Sequence, residues 1–179
     1  MNRDLLCIFF SSFFLVAIGS ITNPPRSTVN GHRSSNLRQP STEFNRPAFY
    51  KAMEENNKTL VNDQLTELKS APADLQEAFM GAMLMKKASF TGPASTKLHL
   101  FKAGRKMLEA AIKQDPGNAE FRFLRLMVQE HAPGALGYKN DVEKDCLYIR
   151  KSYKSLTDEV QRVIADYSKK SKFLKLEVS

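Results

Sequence analysis

The stretch from Lys97 to His131 constrains the fold more than any other part of the chain. It reads KLHLFKAGRKMLEAAIKQ, then DPGN, then AEFRFLRLMVQEH. In the first segment Phe101, Gly104, Leu108 and Ala111 recur at helical spacing and mark one buried face, while Lys102, Arg105, Lys106, Glu109 and Lys113 lie largely opposite. A glycine on that face costs about 1 kcal/mol of helix propensity, so Gly104 predicts a close approach by another helix. Pro116 disfavours helical geometry at Asp115. Asn118 then caps the next helix, and Glu120 puts charge in its first turn. That second helix carries Phe121, Phe123, Leu124, Leu126, Met127 and Val128. Only Arg122, Arg125 and Gln129 interrupt its apolar surface, as a stripe about 60° wide. A helix this apolar needs neighbours on several sides. The two arginines are expected to pair with carboxylates or helix C-termini while their stems pack. The sharper reading is a clamp for a ligand carboxylate.

The pair resembles a tetratricopeptide unit. Gly104, Leu108, Ala111 and Pro116 fall at the small–large–Ala–Pro spacing of that repeat's second helix, and KQDPGNAEF is similar to its inter-repeat junction. Gly92-Pro93 interrupts the place of a first helix, and no second copy follows at a period of about 34 residues. The resemblance implies stacked helix pairs rather than a peptide-binding groove.

Toward the N-terminus, Leu5 to Ile18 is a Phe-rich apolar run. It is shorter than the ~20 residues of a membrane span. Ala17-Ile18-Gly19 supplies small residues where a signal peptidase reads, so residues 1–19 are expected to be a cleaved export signal. The alternative is an uncleaved anchor in the inner membrane. Residues 20–42 are rich in Pro, Ser, Asn and Arg and nearly devoid of large apolar side chains, which predicts a disordered linker. Residues 43–179 are enough for one α-helical domain with its own core.

Within that domain the breaks are legible. Phe49, Ala52 and Met53, then Leu60, Val61, Leu65 and Leu68, predict two short helices around a polar turn at residues 54–57, with Pro47 in the first turn. Leu75, Phe79 and Met83 predict a third, ending near Gly92-Pro93. Its methionines read as core filling rather than a soft-metal site, since no cysteine or histidine shares the strip. Asn140 or Asp141 is expected to cap a later helix, with Glu143 and Asp145 facing the positive end of its dipole. Val142, Cys146, Ile149 and Tyr153 form its buried stripe. A calcium-loop match fails there, because Cys146 stands where glycine is required and Ser152 where glutamate is. Ser155 to Glu159 opens the last helix, with Val160, Ile164 and Tyr167 inward. The lysine-rich end around Phe173 and Leu174 is expected to dock on the domain.

Charge and cysteines narrow the function classes. The chain has net charge +8. A basic balance often signals nucleic acid, but no nucleic-acid motif or aromatic–basic interleaving is present. Weak contact with an anionic membrane surface is the better match. Of the two cysteines, Cys7 lies in the leader. Cys146 is left alone, which excludes an internal disulfide in the remaining chain. No P-loop, dinucleotide fingerprint, nucleophile elbow or metalloprotease helix occurs. His99 and His131 offer no recognisable catalytic or zinc constellation, so the reading is no enzyme, no cofactor and no metal. The candidate partner or ligand surface is the loop HAPGALGYKN. There Pro133, Gly134 and Gly137 disfavour helix and Tyr138 stands on a mobile background, with Arg122, Arg125, Glu130 and His131 at its floor.

MLMKKA, the long run from Lys97 to Asp145, and RVIADYSKKSKFL resemble a group of exported, all-helical proteins of Bacteroidetes-type bacteria to which no reaction, cofactor or catalytic residue is assigned. The resemblance spans most of Phe49 to Leu174 and implies an all-α fold and an envelope location. The sequence therefore predicts a compact bundle of about six or seven short helices stacked as antiparallel, TPR-like pairs. Its expected role is that of an exported, non-enzymatic protein acting by protein–protein contact with an unknown partner in the periplasm or cell envelope. The alternative is a periplasmic carrier of a small ligand or lipid, with a pocket among Phe121, Leu124, Arg125 and Tyr138.

Overall fold

The computed structural model describes residues 44–176. The proposed export signal, residues 1–19, and the whole of the linker, residues 20–42, lie outside the described residues. The described chain is all-helical, with no strand among those residues. Seven α-helices follow one another: α1 (Arg46–Glu54), α2 (Lys58–Glu67), α3 (Ala73–Ala88), α4 (Ala94–Gln114), α5 (Ala119–His131), α6 (Val142–Ser152) and α7 (Asp158–Lys170). Single 3₁₀ turns at Leu68–Ser70, Gly134–Leu136 and Tyr153–Ser155 sit between them.

The local chemistry of the ends explains most boundaries. Asn45, Asn57, Asn118 and Thr157 each accept a backbone N–H in the first turn of α1, α2, α5 and α7, satisfying donors that a helix start leaves open. Helix α4 begins at Ala94, three residues before the Lys97 suggested by its apolar pattern, because Pro93 sets up the first turn. Helix α3 stops at Ala88, where Ser89, Phe90 and Thr91 N–H groups turn back onto carbonyls of its last turn. Asp141 occupies the cap position of α6 without a side-chain hydrogen bond. The last helix opens on Thr157, not on Ser155, whose hydroxyl donates to the Ser152 carbonyl.

Helices α3 and α4 form the closest pair, crossing at Gly81 and Gly104. A Cβ on Gly81 would lie 2.7 Å from the Gly104 carbonyl oxygen and 2.7 Å from the Leu108 nitrogen. The close approach predicted at Gly104 is therefore met by a second glycine.

Helix α5 is the axis of the bundle, and every residue from Ala119 to Gln129 is buried. Phe123 packs edge-on against Tyr167 of α7 and tilted against Tyr50 of α1, while Phe121 meets Phe79 of α3. Phe79 also holds Phe44 and Phe49 at centroid distances of 4.8 and 4.7 Å. Edge-to-face clusters of this kind add to plain area burial. Leu174 is buried while Phe173, its predicted companion, stays about half exposed. Only one member of that apolar pair docks.

Candidate functional site

The polar stripe of α5 is as buried as its apolar faces. Arg125 forks onto Asp145 of α6, donating from Nε to Oδ2 and from Nη2 to Oδ1, both at 2.7 Å. Its Nη1 donates to Glu109 of α4 at 2.8 Å. Arg122 donates from Nη1 to Asp145 at 3.3 Å and from Nη2 to the Pro116 carbonyl at 2.9 Å, and its guanidinium lies 4.3 Å over the Tyr148 ring. Asp145 is fully enclosed. Burial alone would lower the Arg125 pKa, but the hydrogen bonds and charge of Asp145, with Glu109 behind it, raise it above its ordinary value. Both arginines are thus satisfied from within the chain. A clamp for a ligand carboxylate would need one of them open, and neither is. Asp145 does not merely face the dipole of α6; it is the anion that lets α5 bury two cations.

Tyr138 is not held on a mobile background. It is buried, stacks edge-on against Phe101, carries the Arg105 guanidinium 4.7 Å above its ring, and donates its hydroxyl to Glu109 at 2.7 Å. Burial and then the Glu109 carboxylate push its phenol pKa up. Glu109 therefore joins Tyr138 to Arg125. Gly137, with φ +58°, supplies the left-handed turn that delivers Tyr138 to this position. Phe121 and Leu124 are closed into the core, so no pocket opens among Phe121, Leu124, Arg125 and Tyr138.

Glu130 and His131 lie elsewhere, at the C-terminal end of α5. His131 Nδ1 is 2.8 Å from the Met127 carbonyl. A carbonyl only accepts, so Nδ1 donates. Glu130 accepts the Ser171 hydroxyl. The Ser171 oxygen in turn accepts the N–H groups of Phe173 and Leu174 at 3.2 and 2.8 Å, which pins the chain beyond α7 onto α5. The five sequence-derived candidates therefore separate: Arg122, Arg125 and Tyr138 belong to one internal network, and Glu130 and His131 to another place.

That place borders a groove of about 640 Å³. Its floor is Met85, Phe101, Met127 and Val128. Its walls are Leu98 from the start of α4 and Pro133, Ala135 and Leu136 from the loop after α5. Met53 closes one side, and Lys86, Lys97 and His131 stand on the rim. Lys86 is partly buried, with its ammonium 6.0 Å over the Phe90 ring. Burial lowers its pKa, partly offset by Glu54. The volume lies in the range of small-molecule sites, and mostly apolar walls with a few polar groups are their usual composition. Three methionines among the lining give an adaptable surface.

A smaller pocket of about 180 Å³ shares Met53, Met127 and His131 with the groove. It is polar: Glu54, Glu130, Tyr167, Lys170 and Ser171 complete it. Tyr167 is buried, and its hydroxyl closes no hydrogen bond. Burial, then the nearby Glu130 charge, raises its phenol pKa. Cys146 is buried and lines neither pocket, and burial pushes its thiol up to about 11. Among the described residues no group of His, Cys, Asp and Glu side chains stands ready to hold a metal ion, and no described helix is long and apolar enough to cross a membrane. No family model, no curated protein and no solved structure matches the chain.

Proposed function

We propose that this is a non-enzymatic binding protein whose groove takes a small, elongated, largely apolar ligand. The observation that carries the reading is the groove of about 640 Å³ at the junction of α3, α4, α5 and the loop of residues 133–136. The carrier alternative drawn from the sequence fits this geometry better than protein–protein contact, at a different position from the pocket first expected. Among the described residues the three exposed large apolar side chains, Leu98, Leu147 and Phe173, sit on three separate elements, and of these only Leu98 lines the groove. The rim ammoniums of Lys86 and Lys97 favour an anionic substituent at their end of the ligand. An export signal at residues 1–19 would place this activity in the cell envelope.

A tetratricopeptide-like origin for the helix pairing belongs to the same proposal. What supports it is Gly81 facing Gly104: α3 then serves as the partner helix that Gly92-Pro93 concealed in the sequence.

The test is titration of the full chain with an uncharged fluorescent probe, N-phenyl-1-naphthylamine, followed by displacement with octanol. Saturable one-site binding is expected. Leu98→Glu, through lost apolar contact, and Ala94→Trp, by filling the groove, both at exposed positions, are expected to weaken it by about tenfold or more, with unfolding midpoints unchanged. Absence of saturable binding to the unmodified chain refutes the reading.

A further inference from the structure

The groove is electrically one-sided. Every ionisable side chain that lines it is basic: Lys86 of α3, Lys97 of α4 and His131 of α5. No aspartate or glutamate is in the lining. The neighbouring acids line the smaller pocket instead, where Glu54 holds Lys170 at 2.5 Å and Glu130 accepts the Ser171 hydroxyl. Lys97 and His131 are exposed, so water screens them. Lys86 is partly buried, yet among the described residues it forms no ion pair. Its ammonium lies 6.0 Å over the Phe90 ring, the outer limit of a cation–π pair. Glu54 attracts it only from beyond ion-pair distance. Burial therefore lowers the Lys86 pKa in spite of that attraction: the ammonium gives up hydration that the chain does not fully replace.

A partly dehydrated ammonium beside an apolar trough complements a molecule with both characters, a hydrocarbon chain and one negative charge. We propose that the groove takes a single-chain amphiphile with a singly charged anionic head, a fatty acid being the simplest, and that Lys86 is the residue that selects the head. The chain lies along Met85, Phe101, Met127 and Val128, the floor of the groove. Lys97 adds a second positive charge at the rim, worth less because it is exposed. A cationic head would meet two ammoniums and no acid in the lining. An uncharged head would leave Lys86 without a counter-charge. For the alkyl chain this inference rests on the groove reading; what it adds is the charge of the head and the residue that reads it.

The experiment compares octanoate, octanol and octylammonium, three ligands with one chain and three head charges, by isothermal titration of the full chain. Octanoate is expected to bind about five- to tenfold more tightly than octanol, as a hydrogen bond to a charged partner outweighs a neutral one. Octylammonium is expected to be the weakest. Lys86→Gln should remove most of the octanoate advantage and leave octanol affinity unchanged, while Lys97→Gln should remove only a minor part. The unfolding midpoint of Lys86→Gln should not fall, because the ammonium has no ion pair among the described residues to lose. Equal affinity for octanoate and octanol, octylammonium as the tightest of the three, or an octanoate advantage that survives Lys86→Gln overturns the proposal and leaves the groove reading standing. Failure of all three compounds to bind overturns both.

Discussion

Gly81 and Gly104 face each other across α3 and α4, each so near the other's backbone that neither position has room for a methyl group. The nearest atoms in the way are main-chain atoms, which cannot rotate aside. Gly104→Ala and Gly81→Ala are therefore expected to destabilise the protein by about 1–3 kcal/mol through overpacking, despite alanine's better helix propensity. Urea unfolding followed by circular dichroism measures this. A stabilised Gly104→Ala variant would contradict the crossing described.

Asp145 supports two buried guanidiniums. Replacing it with Asn keeps the shape and removes the charge, leaving Arg122 and Arg125 without their shared anion. The expected loss is about 3–5 kcal/mol. Glu109→Gln, at a partly exposed position that also touches Arg125, should cost clearly less. The order of the two unfolding midpoints is the check.

Tyr138→Phe removes the hydroxyl that donates to Glu109 and keeps the ring against Phe101. A loss of about 1 kcal/mol is expected. Amide exchange within residues 132–140 should stay slow, because the ring is what anchors this loop. Fast exchange in the native chain would show that the anchor is absent.

Cys146 carries a pH prediction of definite sign. Burial moves its thiol from an ordinary 9.0 to about 11. Between those values the unfolded chain has lost the proton and the folded chain retains it. This contribution is therefore constant below about pH 9 and is lost as pH rises toward 11. In a Cys7→Ser background, thiol labelling of the native protein at pH 8 should be at least about a hundredfold slower than in urea, from thiolate fraction alone. Equal rates would place Cys146 at the surface.

Much of the helix inventory was legible because caps and periodicity are local. Asn118, the hydroxyl-and-acid opening at Ser155 to Glu159 and the apolar run after Asn118 place α5 and α7 within the sequence itself. The glycine at 104 announced a crossing, yet Gly81 did not announce itself as its partner, since a glycine among alanine and methionine looks like ordinary small-residue filler. Asp145 was read by its place in the first turn of α6. Its true role depends on residues 20 and 23 positions earlier, which no local rule connects. Arg46 and Tyr50 likewise find Glu120 some 70 or more positions away. The groove was invisible for a related reason: Met53, Met85 and Met127 each look like core residues of their own helix, and only the meeting of the helix ends leaves space between them. Tyr138 shows the opposite error. Its glycine-rich surroundings suggested mobility, but Phe101, Arg105 and Glu109 were already waiting one helix earlier.

The position of Asp145 along the chain has a consequence for how the molecule is made. A ribosome or a translocon delivers residues in order, and α5 emerges before α6. Until Asp141 and Asp145 arrive, a nascent chain offers Arg125 only Glu109 and Arg122 only the Pro116 carbonyl, so sealing α5 into an apolar interior is unfavourable. The axis of the bundle is thereby kept from closing prematurely on the helices that precede it, and the last cooperative step waits for the C-terminal third of the polypeptide.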